Sequence, residues 1–584
     1  MPYDVYVVAH RSPDAWLADP KLVDVTDDIE HGVVAAGSAA ENLLQVWSRA
    51  RGGPRLTSAW DVVVDFGADG RLDPGDLIDG LGARPGLWTT PDLAAPGRYT
   101  PMSGRFNDGN FLVQEIWYPN EIDTFTQPVP IVILSHGNGH DYRWYDHLGR
   151  HFSSWGYVFM SHANNTAPGP ETASSTTLKN TDHFLETYAT RFNGVLAGHL
   201  DEHAIAWIGH SRGGEGVVRA YDRLYDHEYT PDHFSLADIR VISSIAPTVF
   251  LPATRSDPHD VFYHQLLGSS DGDVTGGVDC AICQSLVLAN LARGPVATTY
   301  IHGAWHNAFH NGGGWNDGVG PDQLPIEEVH AIEKATLLAL LGWRLQGLDG
   351  LAGWFSTSPD AARPMGTPDD AIIAATWRDA PTDDILILDA FQLNPEPELN
   401  DLGGAVSWTV GGVTEALLND RNALLTWNEA DPMNGMTAVD ISGYERGVTF
   451  DWTGDSSYTT RVPPGSRDWR RWDVLSMRVA QGSRHPNTVA HGGPLGFVVE
   501  LVDGAEQATR VDIAPYGLVT EPYLRGGLGD GLGWQGEMNT VRVPLRAFTG
   551  VDLSDVRAVR LVFGTETGAA TGRVVLDDLY LGRN

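Results

Sequence analysis

No apolar run reaches the roughly 18 residues that a membrane-spanning helix needs, so membrane insertion is not expected. The first residues, MPYDVYVVAHRSPDAW, lack a basic segment followed by an apolar one, so no signal peptide is expected there. Lysine is nearly missing: Lys21, Lys179 and Lys334 are the only three. Positive charge is scarce overall, with 39 Lys+Arg against 75 Asp+Glu and a net charge of −36. Such a surface repels phosphate backbones, so nucleic acid is not an expected partner. Anionic membrane surfaces are disfavoured for the same reason. The acidic balance suits a secreted protein, or one kept in solution under saline conditions. Cysteine is limited to Cys280 and Cys283, in C-A-I-C. A zinc ribbon needs a second pair, and a thioredoxin-type motif should open a helix early in a small domain. A local disulfide clip is the preferred reading, with two free thiols next.

What is present is enough for a large folded chain. Its 584 residues predict about three to five domains, and 42% are apolar, which excludes a mostly disordered chain. Residues 1–85 carry alternating runs (YDVYVVAH, WDVVVDFG) and read as a small β-sandwich. Residues 86–355 alternate apolar strands, at 131–135, 156–161, 204–209, 241–246, 262–268 and 298–302, with helical patterns near 142–154, 212–227, 281–292 and 326–345. That alternation predicts a mostly parallel sheet covered on both faces by helices. Residues 356–368 (STSPDAARPMGTP) read as a linker. Residues 369–584 return to Gly-rich β patterns and predict a β-sandwich or jelly roll.

The sharpest chemical signal lies in IAWIGHSRGGEGVVRA, residues 205–220. Gly209-His210-Ser211-Arg212-Gly213 is a G-x-S-x-G between a strand and a helix. A strained strand-to-helix turn there lifts the serine hydroxyl above the sheet edge, and the helix N-terminus adds positive potential. A serine nucleophile needs a base, and the base needs an orienting carboxylate, in the chain order Ser, acid, His. Two carboxylates follow the strand at 262–268; Asp271 is preferred to Asp273 because it stands three residues past Gly268. His306, after a strand and a Gly-containing turn, is the expected base, with His310 as the alternative and His302 read as packed. The glycine-rich turn Ser135–His140 follows an early strand, so the N–H groups of Asn138 and Arg212 are the expected oxyanion donors. His140, His210 and Trp305 are the candidate substrate-binding residues beside them. Further aromatics nearby, Tyr142, Trp144, Tyr145, Phe309 and Trp315, divide between pocket lining and core. The polar segment 164–184 reads as a loop, either overhanging the site as a lid or lying on the surface.

Four blocks, HGNGHDYRWYDHLGRHFSSWGYVFMSH, GHSRGGEG, GSSDGDV and GAWHNAFHN, resemble those of α/β-hydrolases of the chlorophyllase, cutinase-like and platelet-activating-factor acetylhydrolase group. The resemblance covers residues 100–345. It implies ester hydrolysis through an acyl-enzyme, with Ser211 attacking, His306 relaying protons and Asp271 orienting His306. No cofactor for catalysis is implied. Known members act on lipid, pigment and polyester substrates, so the substrate class, polymeric or not, does not carry over. His140 departs from the pattern, since many relatives have Gly in that turn. An amidase or peptidase would use the same triad, and a catalytically silent binding protein on this scaffold is a third reading.

Two accessory features complete the picture. Residues 65–76 resemble an EF-hand or dockerin calcium loop, with Asp65, Asp69, Asp73 and Asp76 at positions 1, 5, 9 and 12 and Arg71 at position 7. Gly67 at position 3 offers no side-chain oxygen. The loop is therefore read either as a structural Ca2+ site or as a bare Asp-rich turn. Residues 541–548 and 556–581 resemble a carbohydrate-binding-module jelly roll, which implies a polysaccharide surface as partner. Trp427, Trp452, Trp469 and Trp472 are its candidate stacking residues.

Overall fold

Val129–Ser135 is buried at every position, and its side chains divide between two apolar clusters. Val132 and Leu134 join one, Ile131 and Ile133 the other. Alternation by two sends successive side chains to opposite faces, so a strand buried throughout must be covered on both sides. In the computed structural model this strand lies inside a nine-stranded mixed sheet. The structure describes residues 2–26, 30–33, 56–79, 85–274, 286–357, 366–380, 384–418, 427, 429–430, 432–433, 435, 445–524 and 534–583.

The strands of that sheet are β1 (Pro101–Asn107), β2 (Val113–Pro119), β3 (Val129–Ser135), β4 (Val158–His162), β5 (Leu200–His210), β6 (Ile239–Ile245), β7 (Phe262–Gly268), β8 (Val296–Ile301) and β9 (Ile373–Arg378). Their spatial order is β9-β8-β7-β6-β5-β3-β4-β2-β1. The six strands β3 to β8 pair in parallel, while β1, β2 and β9 join antiparallel. Helices α1 (Asp146–Ser154) and α4 (Ile326–Gln346) cover one face through Leu148, Phe152, Ile332 and Leu338. Helices α2 (Pro170–Thr187) and α3 (Arg212–Tyr225) cover the other through Leu178, Phe184, Val217 and Leu224.

Helix α2 corrects the expected loop over 164–184. Its Ser/Thr-rich sequence favours caps and turns over helix interiors. Here the hydroxyls return to the helix's own carbonyls: Thr177 Oγ1 donates to Ala173 O at 3.0 Å and Thr181 Oγ1 to Thr177 O at 2.9 Å. That self-satisfaction lets a polar helix be buried against β5, where Trp207 Nε1 donates to Thr181 Oγ1. Of the helical pattern at 281–292, the described residues give a helix at Val287–Leu291; Cys280 and Cys283 lie outside the described residues.

Toward the N-terminus, the described residues form one five-stranded antiparallel sheet. A short helix, Pro13–Ala18, supplies Trp16 to the cluster of Tyr6, Val8, Leu22 and Val63. Leu87–Thr89 pairs with Ser58–Trp60, which carries this sheet past residue 85. At the other end, two antiparallel sheets share one apolar cluster. One contributes Phe450, Met477 and Val541, the other Tyr458, Leu501 and Phe563. The segment expected to open this zone at 369 instead supplies β9 to the central sheet. From there Trp377 N donates to Thr540 Oγ1 at 2.8 Å, and Arg542 pairs with Asp379 at 3.2 Å. Among the described residues no helix is long and apolar enough to cross a membrane.

Candidate active site

Because β3, β5, β7 and β8 run parallel, their carboxyl ends open on the same edge of the sheet. Asn138 follows β3, Ser211 follows β5, Asp271 follows β7 and His306 follows β8. The sequence-predicted residues are therefore delivered to one edge by topology alone.

Ser211 sits between β5 and α3 with φ 56° and ψ −126°, a conformation that side chains rarely adopt. The surroundings hold it there. Ser211 N donates to Ile245 O at 2.9 Å, and Thr248 N donates to Ser211 O at 3.3 Å. The flanking glycines are required by close approach: a Cβ on Gly209 would lie 2.2 Å from Gly213 O, and one on Gly213 would lie 2.2 Å from Ser135 O. Behind this turn is Glu215, fully buried. Its carboxylate accepts from Thr248 Oγ1 at 2.7 Å, Phe250 N at 2.8 Å, Leu251 N at 2.7 Å and Ser256 Oγ at 3.1 Å. Burial pushes this carboxyl up to about 7, against the pull of those four donors.

His306 and Asp271 form a buried pair, Nδ1 to Oδ2 at 2.9 Å. Asp271 Oδ1 also accepts the N–H groups of Asp273 at 2.8 Å and Val274 at 2.7 Å, which fixes the carboxylate. Asp273 is half-exposed, and its Oδ2 stands 3.6 Å from His306 Nε2. Burial disfavours a charged imidazole, but Asp271, with Asp273 and Asp317 behind it, outweighs burial and raises His306 to about 9. His306 Nε2 is buried and has no hydrogen-bond partner among the described residues.

Asp317 is a site residue that sequence reasoning missed. It accepts from His306 N at 3.1 Å and Asn307 N at 3.0 Å, and so caps the helical turn His306–Phe309. An exposed-looking N-D-G gave no hint of it; only the absence of another cap for a turn starting at His306 could have.

Histidines crowd the site. The rings of His140 and His310 lie 4.5 Å apart, His140 and His210 4.9 Å, and His210 and His306 4.7 Å. Buried Tyr145 ties two of them together, its hydroxyl 2.9 Å from His140 Nδ1 and 2.8 Å from His210 Nδ1. Burial, then the charges of His310 and His306, push His140 down to about 2. Burial and its imidazole neighbours hold His210 far below its ordinary range and bring His310 to about 4. His306 is thus the one imidazole of this group held toward protonation.

Of the remaining expectations, the Ser135–His140 turn abuts Ser211, and exposed Asn138 accepts from Thr166 Oγ1 at 3.3 Å. The Arg212 side chain donates to Thr166 O at 3.0 Å. Trp305 is half-buried and packs against the core beneath α4, as does Trp144, whereas Trp315 is 72% exposed. In the 65–76 loop the carboxylates bind backbone. Asp65 accepts from Gly67 N and Gly70 N, Asp69 from Arg71 N, and Asp76 from Phe66 N and Asp73 N. Trp452, Trp469 and Trp472 are buried in the C-terminal core and cannot stack on a sugar; Trp427 is half-buried against His485.

No protein-family model matches this chain, and neither does any curated protein.

Proposed function

We propose that the protein is a serine carboxylic-ester hydrolase whose central sheet is an α/β-hydrolase domain. The observation that carries this reading is the convergence at one sheet edge of Ser211, in its positive-φ turn, with the buried His306–Asp271 pair. The strand order, with an antiparallel second strand and a parallel run from β3 to β8, supports the fold assignment.

In this reading Ser211 Oγ attacks the ester carbonyl carbon while His306 Nε2 takes its proton. The proton passes to the departing alkoxide, leaving an acyl-serine and an alcohol. Water, deprotonated by His306, then attacks the acyl-serine and releases the acid. Asp271 holds the Nδ1–H tautomer and stabilises the imidazolium. The N–H groups of Asn138 and Arg212 face the developing oxyanion. Secretion belongs to the same proposal, supported by the acidic composition. A polymeric substrate does too, with the C-terminal sheets as a β-sandwich or jelly-roll module that holds the enzyme near it.

The test is turnover of p-nitrophenyl acetate, butyrate and octanoate, beside p-nitroanilides, by the parent chain and Ser211→Ala. Ester turnover confined to the parent is expected. Anilide turnover without ester turnover would make the enzyme an amidase. Undiminished activity in Ser211→Ala would overturn the triad.

A further inference from the structure

Away from Ser211, helices α1 and α4 bring His147, His330 and Glu333 together in the core. Their potential ligand atoms all lie within 4.8 Å of one another. His330 and Glu333 are one turn apart on α4, so both side chains reach the same face. The rings of His147 and His330 stack with centroids 4.1 Å apart and planes 16° apart. His147 Nε2 lies 3.0 Å from Glu333 Oε2.

That one contact does not complete the cluster. Glu333 is fully buried, yet its Oε1 has no hydrogen-bond partner among the described residues. His330 Nε2 is likewise buried and unpartnered there. Buried polar atoms normally find partners, and each orphan is costly. A carboxyl oxygen and an imidazole nitrogen left open beside a second imidazole form a set of potential metal ligands.

We propose that His147, His330 and Glu333 bind a first-row divalent transition cation, Zn2+ foremost. Two imidazole nitrogens and one carboxylate oxygen suit Zn2+ and its neighbours, whereas Ca2+ and Mg2+ prefer all-oxygen shells. Three protein ligands leave one position for water. Helix α4 packs against the turn His306–Phe309, so the cation would tie α1 to the helix that backs the segment carrying His306. The inference does not depend on the reaction assigned to Ser211.

The test uses the full chain with Cys280→Ser and Cys283→Ser, so that thiols cannot supply a competing site. After chelator dialysis, Zn2+ is titrated against a chromophoric chelator. One equivalent is expected, with a rise in Tm on loading. Glu333→Gln and His330→Gln should each weaken binding by roughly 100-fold or more and abolish the rise. X-ray absorption on the loaded chain should report two imidazoles and low-Z oxygen ligands, a readout that needs neither ligand variant to fold. Absence of stoichiometric binding, binding unchanged in both folded variants, or an all-oxygen shell would each overturn the proposal.

Discussion

A methyl group on Gly137 would lie 2.7 Å from Ser211 Cβ and 2.9 Å from the His140 ring. The Ser135–His140 turn and Ser211 are therefore packed backbone against side chain, with no room for a Cβ between them. Gly137→Ala should shift Ser211 by a few tenths of an ångström or more. Ester turnover is expected to fall by about 100-fold while circular dichroism stays unchanged.

The two aspartates after β7 should separate cleanly. Asp271→Asn presents an amide to His306 Nδ1 and disfavours the working tautomer, so kcat should drop about 10⁴-fold. Asp273→Asn removes only a half-exposed charge 3.6 Å from Nε2. Its kcat is expected within about tenfold of the parent, because exposed charge pairs contribute little. A larger loss in Asp273→Asn than in Asp271→Asn would reverse the assignment.

His306 sets the pH dependence. As the base of the proposed reaction it must be neutral, and its pKa is raised to about 9. The kcat/KM of the free enzyme should rise with pH along a limb near that value. Stability moves the opposite way. A raised histidine binds its proton more tightly when folded, so its contribution is full below 6.5, its ordinary value, and is lost as pH climbs toward 9. Replacing His306 with Gln should flatten the decline in Tm across that window.

Glu215 supports the site from behind. Four donors converge on its carboxylate, two of them backbone N–H groups of the 248–256 segment. Glu215→Gln turns an NH2 toward some of those donors. A stability loss of about 3 kcal/mol is expected from urea melts. Ester turnover should fall too, since Thr248 N–H holds the Ser211 carbonyl. Full activity with unchanged stability would remove Glu215 from the support.

In the C-terminal sheets, Trp469 is buried in the shared core. Trp469→Ala should cost about 3–5 kcal/mol. Any loss of polymer binding should accompany unfolding rather than precede it, which melts recorded beside pull-downs on insoluble polysaccharide would reveal.

Much of the site was legible because the chemistry imposes local order. The Gly209–Gly213 pattern, a strand before it and a helix after it are enough to find Ser211. The order of Asp271 and His306 along the chain follows from where parallel strands end. What escaped the sequence were buried polar residues that look like surface. Helix α2 reads as a loop until its hydroxyls are seen to satisfy its own carbonyls. Glu215, Asp317 and Glu333 read as ordinary charges, since nothing in one sequence reveals which carboxylates face inward. The tryptophans failed in the other direction, because large aromatic rings serve cores and sugar platforms equally well.

Strand β9 ties the C-terminal part of the chain to the central sheet. It comes after the 356–368 stretch, completes the central sheet against β8, and bonds through Trp377 to Thr540. A cut at residue 368 would thus not release the central sheet as a self-contained piece. It would strip the closing strand from β8 and bare a row of backbone donors and acceptors, the kind of edge on which chains add to one another. The C-terminal sheets are fastened to the central sheet through its own last strand, so trimming this protein to that sheet calls for a boundary beyond Arg378.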